Sequence, residues 1–219
     1  MTACVYCHKS PGRRECPALG GLICSSCCGQ HRGLDLDCPP QCKYFRAHEE
    51  YQRARWSSEY HQAWLAATEP FYLAKQWELL DFIVSLEAVI YRHFSQETRG
   101  SDRELIEALD YLERQLGLIA IIERPASELE SYLKTEIQGS LERSGLEPDK
   151  AQRGIAAVRG VLSRLAEETD DRRRGLHGLL GHIEEHFQSL VEELGEQTGV
   201  IEVPHIFTPG ERGFEQPGH

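Results

Sequence analysis

The chain has 219 residues, 40% of them hydrophobic and 27% charged, with a net charge of −11. That is long enough for one or two domains with a real core, and no stretch approaches the ~20 apolar residues of a transmembrane helix. The opening MTACVYCHKS has no apolar run, so no signal peptide is expected, and the expected compartment is the cytoplasm.

All eight cysteines lie between Cys4 and Cys42. In a reducing compartment such clustering points to metal more than to disulfides, with redox chemistry as the rival reading. Charge is also uneven. Residues 1–56 hold eight Lys or Arg and five acids, a net +3, so the remainder of the −11 chain carries −14. A small basic head thus precedes a large acidic body.

Within the head the order is Cys4-x2-Cys7, Cys16, Cys24-x2-Cys27-Cys28 and Cys38-x3-Cys42. Zinc takes four tetrahedral thiolate or imidazole ligands, so eight cysteines suit two closed sites. We place Cys4, Cys7, Cys24 and Cys27 on the first ion, and Cys16, Cys28, Cys38 and Cys42 on the second. Neighbouring side chains point in different directions. Cys27 and Cys28 therefore serve two adjacent sites more easily than one. The head's apolar supply is small (Val5, Tyr6, Leu19, Leu22, Ile23, Leu34, Leu36), so metal is expected to contribute much of its stability. His8 and His31 remain spare ligands outside this assignment. Thiolate ligation with no gap for water favours a structural role, and no H-x-E precedes the cysteines as a deaminase would need.

This spacing resembles, over roughly residues 4–42, the cross-brace or treble-clef zinc fingers of the HIT, MYND and B-box kind. The segments RECPALGG, LICSSCCGQHR and CPPQCKYF also resemble the opening of an uncharacterised bacterial zinc-binding type. The chain departs from the fingers in its CPPQC close and its long gap between Cys16 and Cys24. The finger resemblance implies a binding module, most often protein-facing, and implies no reaction.

From Tyr44 onward the periodicity is helical. One helix is expected over 44–68 with Tyr51, Trp56, Tyr60, Trp64 and Leu65. Pro70 is expected to open the next, since proline suits a first turn. That helix, running to about residue 98, is apolar on two sides and should be the most buried. Gly100 stops it. Ser101-x-x-Glu104 and Ser127-x-x-Glu130 are capping boxes opening two further helices, the second ended by Gly145. Pro148 opens another, and a last helix carries Leu176 to Leu194 after a break at 170–175. LIAIIERP at 118–125 and VIEVPHIFTP at 200–209 read as possible paired strands, and the final residues as a tail. The expected organisation is a cysteine-rich zinc-binding module over 1–43, a helical bundle over 44–199 and an extended segment and tail over 200–219. The fold class is mainly α, with room for a short β-hairpin.

Three features of the body bear on chemistry. His182-x-x-Glu185-His186 matches the inverted zinc-peptidase pattern, yet lacks its downstream context apart from Glu192, Glu193 and Glu196. A bundle metal site drawing in His61 or His93 is conceivable. DDRRRG at 170–175 is either a surface junction with Arg–Asp pairs or a phosphate-binding patch. No phosphate loop, dinucleotide fingerprint or nucleophile elbow is present.

The favoured reading is a non-enzymatic zinc-binding adaptor or regulator with two zinc ions. It has a protein partner, no membrane, and homo-oligomerisation left open. Exposed aromatics near the junction (Tyr44, Phe45, Tyr51, Trp56) would be its anchors. The first alternative is a nucleic-acid-binding regulator using Arg13, Arg14, Arg32, Lys43, Arg46, Arg53 and Arg55. The second is a metal-dependent hydrolase in the helical body.

Overall fold

Cysteine spacing shapes the first forty residues, and 3.6-residue apolar periodicity shapes most of the rest. The computed structural model describes residues 2–96, 99–116, 123–167 and 171–196. The head opens with a turn over Cys4–His8 and a bridge between Ala3 and Pro11. Strands β1 (Arg14–Cys16) and β2 (Gly21–Ile23) then form an antiparallel hairpin, with Arg14 opposite Ile23 and Cys16 opposite Gly21. Gly20, at φ 62°, makes the left-handed turn between them. Helix α1 (Ser25–His31) follows directly, its first turn capped by the Cys24 sulfur.

A loop returns to Cys42, from which α2 (Lys43–Leu73) runs 31 residues without interruption. Then come α3 (Trp77–Gln96), α4 (Asp102–Gln115), α5 (Glu128–Ser144), α6 (Pro148–Glu167), α7 (Arg174–His186) and α8 (Gln188–Glu196). The core is built around α3, where Leu79, Leu80, Ile83, Val84, Leu86 and Ile90 are all essentially inaccessible. Both apolar stripes of that helix are thereby used. At ~25 cal/mol per Å² of apolar area, burial of this kind stabilises the bundle far more than helix propensity does.

The most extensive helix pair is α2 with α7. Two glycines permit it. A Cβ at Gly178 would lie 2.9 Å from Tyr60 Cβ, and one at Gly181 would collide with the Arg53 carbonyl oxygen. The α7 amino terminus is capped in trans, with Asp102 oxygens accepting from Gly175 N (2.9 Å) and Leu176 N (2.8 Å). Head and bundle are stitched together: Gly100 N donates to Gly33 O (3.4 Å) and Arg99 Nε to Leu34 O (3.3 Å). No described helix is long and apolar enough to cross a membrane.

Several expectations change. Pro70 does not open a helix. It sits in the last turns of α2, where one lost backbone bond is tolerated, and the break falls at Ala74–Gln76 with Lys75 at φ 54°. The last helix is two, α7 and α8, separated at Phe187, whose ring packs edge-on against Trp64 and His182. Arg173 and Arg174 form neither a surface junction nor a phosphate patch. Both are buried, Arg173 paired with Glu49 through two contacts of 3.0 and 3.2 Å and Arg174 paired with Glu59. A hairpin is present, but in the head. Of the two stretches read as strands, residues 117–122 and 200–209 lie outside the described residues, as does the final tail.

Candidate metal centres

The first quartet is assembled by backbone. Val5 N donates to Leu22 O (2.9 Å) and Cys4 N to Ser10 O (2.8 Å), which folds the Cys4–Cys7 turn onto the hairpin. Cys24 N donates to Cys4 Sγ (3.2 Å) and Cys27 N to Cys24 Sγ (3.4 Å). The ligand atoms of Cys4, Cys7, Cys24 and Cys27 all lie within 4.8 Å of one another. Zinc–sulfur bonds of about 2.3 Å place tetrahedral sulfurs roughly 3.8 Å apart, so these four residues fit a zinc ion. Burial pushes the Cys4 thiol up, but backbone N–H groups of Cys7, Cys24 and Tyr6 outweigh it and leave Cys4 at about 6. Donors from Lys9 and Ser10 hold Cys7 low as well. Hydrogen bonding with Cys24, then burial, pushes Cys27 up to about 12. Four sulfurs without a metal cannot all carry charge at this spacing.

The other four cysteines face a different space. Cys16 at the end of β1, Cys28 on α1, and Cys38 and Cys42 before α2 line one small cavity with Ile23, Leu36 and Phe45. All four are buried. Burial raises the Cys38 thiol, and charge on Cys42, Cys16 and Cys28 raises it further. Their sulfurs are less tightly gathered. Among the described residues, groupings within 4.8 Å occur at the first quartet and at a histidine trio. Cys27 and Cys28 do face the two different quartets.

The spare histidines take other roles. His31 Nδ1 donates to Asp35 Oδ2 (2.7 Å), and that bond holds the Asp35 carboxyl low. His8 occupies a positive-φ turn beyond Cys7.

In the body, His182 is fully buried against Tyr60, Trp64 and Phe187. Burial, then the charges of His61 and His186, push it down to about 3, so the ring is neutral. Glu185 turns to accept from Ser57 Oγ (2.6 Å). His61, from α2, joins His182 and His186, whereas His93 packs on Phe94 and Tyr132. The sequence offered no local signal for His61, which lies 121 positions from His182.

The basic residues considered for phosphate contacts are partly committed. Arg53 pairs with Glu184 (2.5 Å), Arg46 with Glu50 (3.6 Å), and Arg32 donates to Tyr44 O (3.1 Å). Arg14 donates to Cys28 Sγ (3.5 Å) and covers the Tyr44 ring, while Arg55 stacks on Trp56. Of the junction aromatics, Phe45 is buried, which removes it as an anchor, while Tyr51 is 62% exposed. No family model, curated protein or solved structure matches the chain.

Proposed function

We propose that the chain is a non-enzymatic cytoplasmic adaptor or regulator whose head is a recognition module held by two zinc ions. The observation that carries this is the Cys4, Cys7, Cys24 and Cys27 cluster, a thiolate set that fills a tetrahedron and leaves no position for water or substrate. Ligation there supports the head directly, at about 10 kcal/mol or more for a structural zinc site. The second ion is assigned to Cys16, Cys28, Cys38 and Cys42, on the strength of their shared cavity. The turn–hairpin–helix order from Cys4 to His31 supports the treble-clef resemblance. With all eight thiolates engaged, the doubled cysteine braces one site against the other.

The partner is read as protein. Among the described residues, the large exposed apolar side chains outside the head gather on α2, where Leu65, Tyr72 and Leu73 reach 43%, 52% and 73% exposure. Leu65 and Tyr72 line an open, mainly apolar groove. Engagement of Arg14, Arg32, Arg46 and Arg53 by the chain's own groups counts against the nucleic-acid alternative.

Thiol counting in the zinc-loaded chain tests the head. Eight unreactive thiols support two closed sites; four reactive ones, mapped to Cys16, Cys28, Cys38 and Cys42, would remove the second ion. Cross-linking in native extract tests the adaptor, comparing wild type with a Leu65→Asp/Tyr72→Asp variant. A defined protein adduct lost in the variant supports it. Unchanged adducts would overturn the α2 surface, and no protein adduct at all would overturn the reading.

A further inference from the structure

We propose that His61, His182 and His186 form a separate site for a divalent transition-metal ion of the zinc class, clamped between α2 and α7. The site uses none of the head's cysteines and needs no part of the adaptor reading. His182 and His186 are one turn apart on α7 and share a face. His61 meets them across the most extensive helix pair, α2 with α7, where Gly178 and Gly181 let the backbones approach.

Three independent features point to a metal. The first is spacing. His61 Nδ1 lies 3.3 Å from His182 Nδ1, and one nitrogen of each of the three rings falls within 4.8 Å of the others. Metal–nitrogen bonds of 2.0–2.1 Å place two tetrahedral imidazole ligands about 3.3 Å apart. The second is ring placement. The His182 centroid lies 5.2 Å from those of both His61 and His186, the separation two tetrahedral imidazole ligands would have. His61 and His186 stack at 3.8 Å, so binding requires the exposed His186 ring to turn out of that stack.

The third is what stands behind His182. Its Nε2 is buried with no hydrogen-bond partner and faces Glu87 Oε2 at 3.9 Å. Glu87 is fully buried on α3, held by Tyr60 Oη donating to its Oε1 at 2.7 Å. A carboxylate behind a ligating imidazole fixes its tautomer and raises its basicity. Here Glu87 stands on the Nε2 side of the His182 ring, while Nδ1 faces His61. Without a metal, the trio contains one Nδ1···Nδ1 hydrogen bond and one buried nitrogen, His182 Nε2, with no hydrogen-bond partner, an expensive arrangement in a core.

Three imidazoles leave a fourth position. His186 is exposed, so that position opens toward solvent, in contrast to the closed cysteine quartet. Imidazole donors suit zinc, nickel, copper and cobalt in preference to calcium or magnesium.

The test substitutes cobalt(II) for zinc in the full-length chain and counts metal per chain alongside the absorption spectrum. Thiolate-to-cobalt charge-transfer bands report the head alone; the histidine site contributes only ligand-field bands. Wild type is expected to bind one ion more than a His61→Gln/His186→Gln variant, with identical thiolate bands and helical circular dichroism in both. Both substituted positions are partly accessible, so the fold should survive. Glu87→Gln is expected to keep the stoichiometry at saturating metal and weaken affinity at this site about 10–100-fold. Equal metal content in wild type and the double variant would overturn the proposal, whatever the head binds.

Discussion

Asp102 carries two opposed demands in one side chain. It must cap α7 through two backbone N–H groups, and it must do so while buried. Burial dominates and pushes its carboxyl up to about 6, against the pull of the Leu176 and Gly175 N–H groups. The native state therefore holds this proton more tightly than the unfolded chain, whose aspartates titrate near 3.9. Its contribution to stability is full below that value and falls as pH rises toward 6. Asp102→Asn should abolish this dependence. Urea denaturation at pH 5 and 7.5 checks it, taken as a difference from wild type at each pH so that thiolate protonation in the head cancels. Asp102→Ala should cost about 1–2 kcal/mol by orphaning the two donors. What was legible at this scale followed distance along the chain. Cys4, Cys7, Cys24 and Cys27 could be grouped from their two C-x2-C spacings because each constraint is local. Glu49 with Arg173, His61 with His182, and Asp102 with Gly175 are pairs between helices, separated by 124, 121 and 73 positions. No local pattern announces them.

At the scale of elements, the caps were the clearest signals. Ser101 and Ser127 accept from the backbone N–H of Glu104 (3.3 Å) and Glu130 (3.1 Å), and Gly145 closes α5 at φ 65°. Each relies on a few adjacent residues, so reading them needs no tertiary knowledge. Pro70 misled because proline is costly mid-helix yet survivable near an end, and the α7–α8 break misled because tertiary packing of Phe187 accompanies it. Gly181 of α7 and Gly160 of α6 yield predictions of opposite sign. Gly→Ala in a helix gains about 1 kcal/mol of propensity. At Gly160 on α6 nothing lies within 4 Å of the added methyl, so Gly160→Ala should stabilise by up to that amount. At Gly181 the methyl strikes the Arg53 backbone, and overpacking of about 1–3 kcal/mol should outweigh the gain. Urea midpoints of the two variants decide it.

For the whole molecule, the join between head and bundle is the feature composition hid. A +3 head before a −14 body marks two regions of opposite charge and says nothing of how they join. Arg173 reaches under the head's Gly33 and Phe45 and forks onto Glu49, which also contacts His177 Nε2 at 3.0 Å. Removing one partner of such a buried pair leaves the other charge uncompensated, so Arg173→Ala should cost about 3–5 kcal/mol, measured by denaturant unfolding followed through helical circular dichroism. Metal removal should act unevenly. A strong chelator is expected to unfold β1, β2 and α1, whose apolar burial is small, while the α3-centred core persists. Hydrogen exchange should show protection lost in residues 2–42 and retained in α3.

Helix α2 starts one residue after the last cysteine and continues unbroken past His61 to Leu73. At 1.5 Å per residue it is a rod about 46 Å long. It holds the head, the histidine trio and the exposed Leu65–Leu73 surface at set distances and set angles about one axis. A torque applied to the head by a partner has no hinge in α2 at which to dissipate. It must arrive at α7 as rotation of the whole shaft.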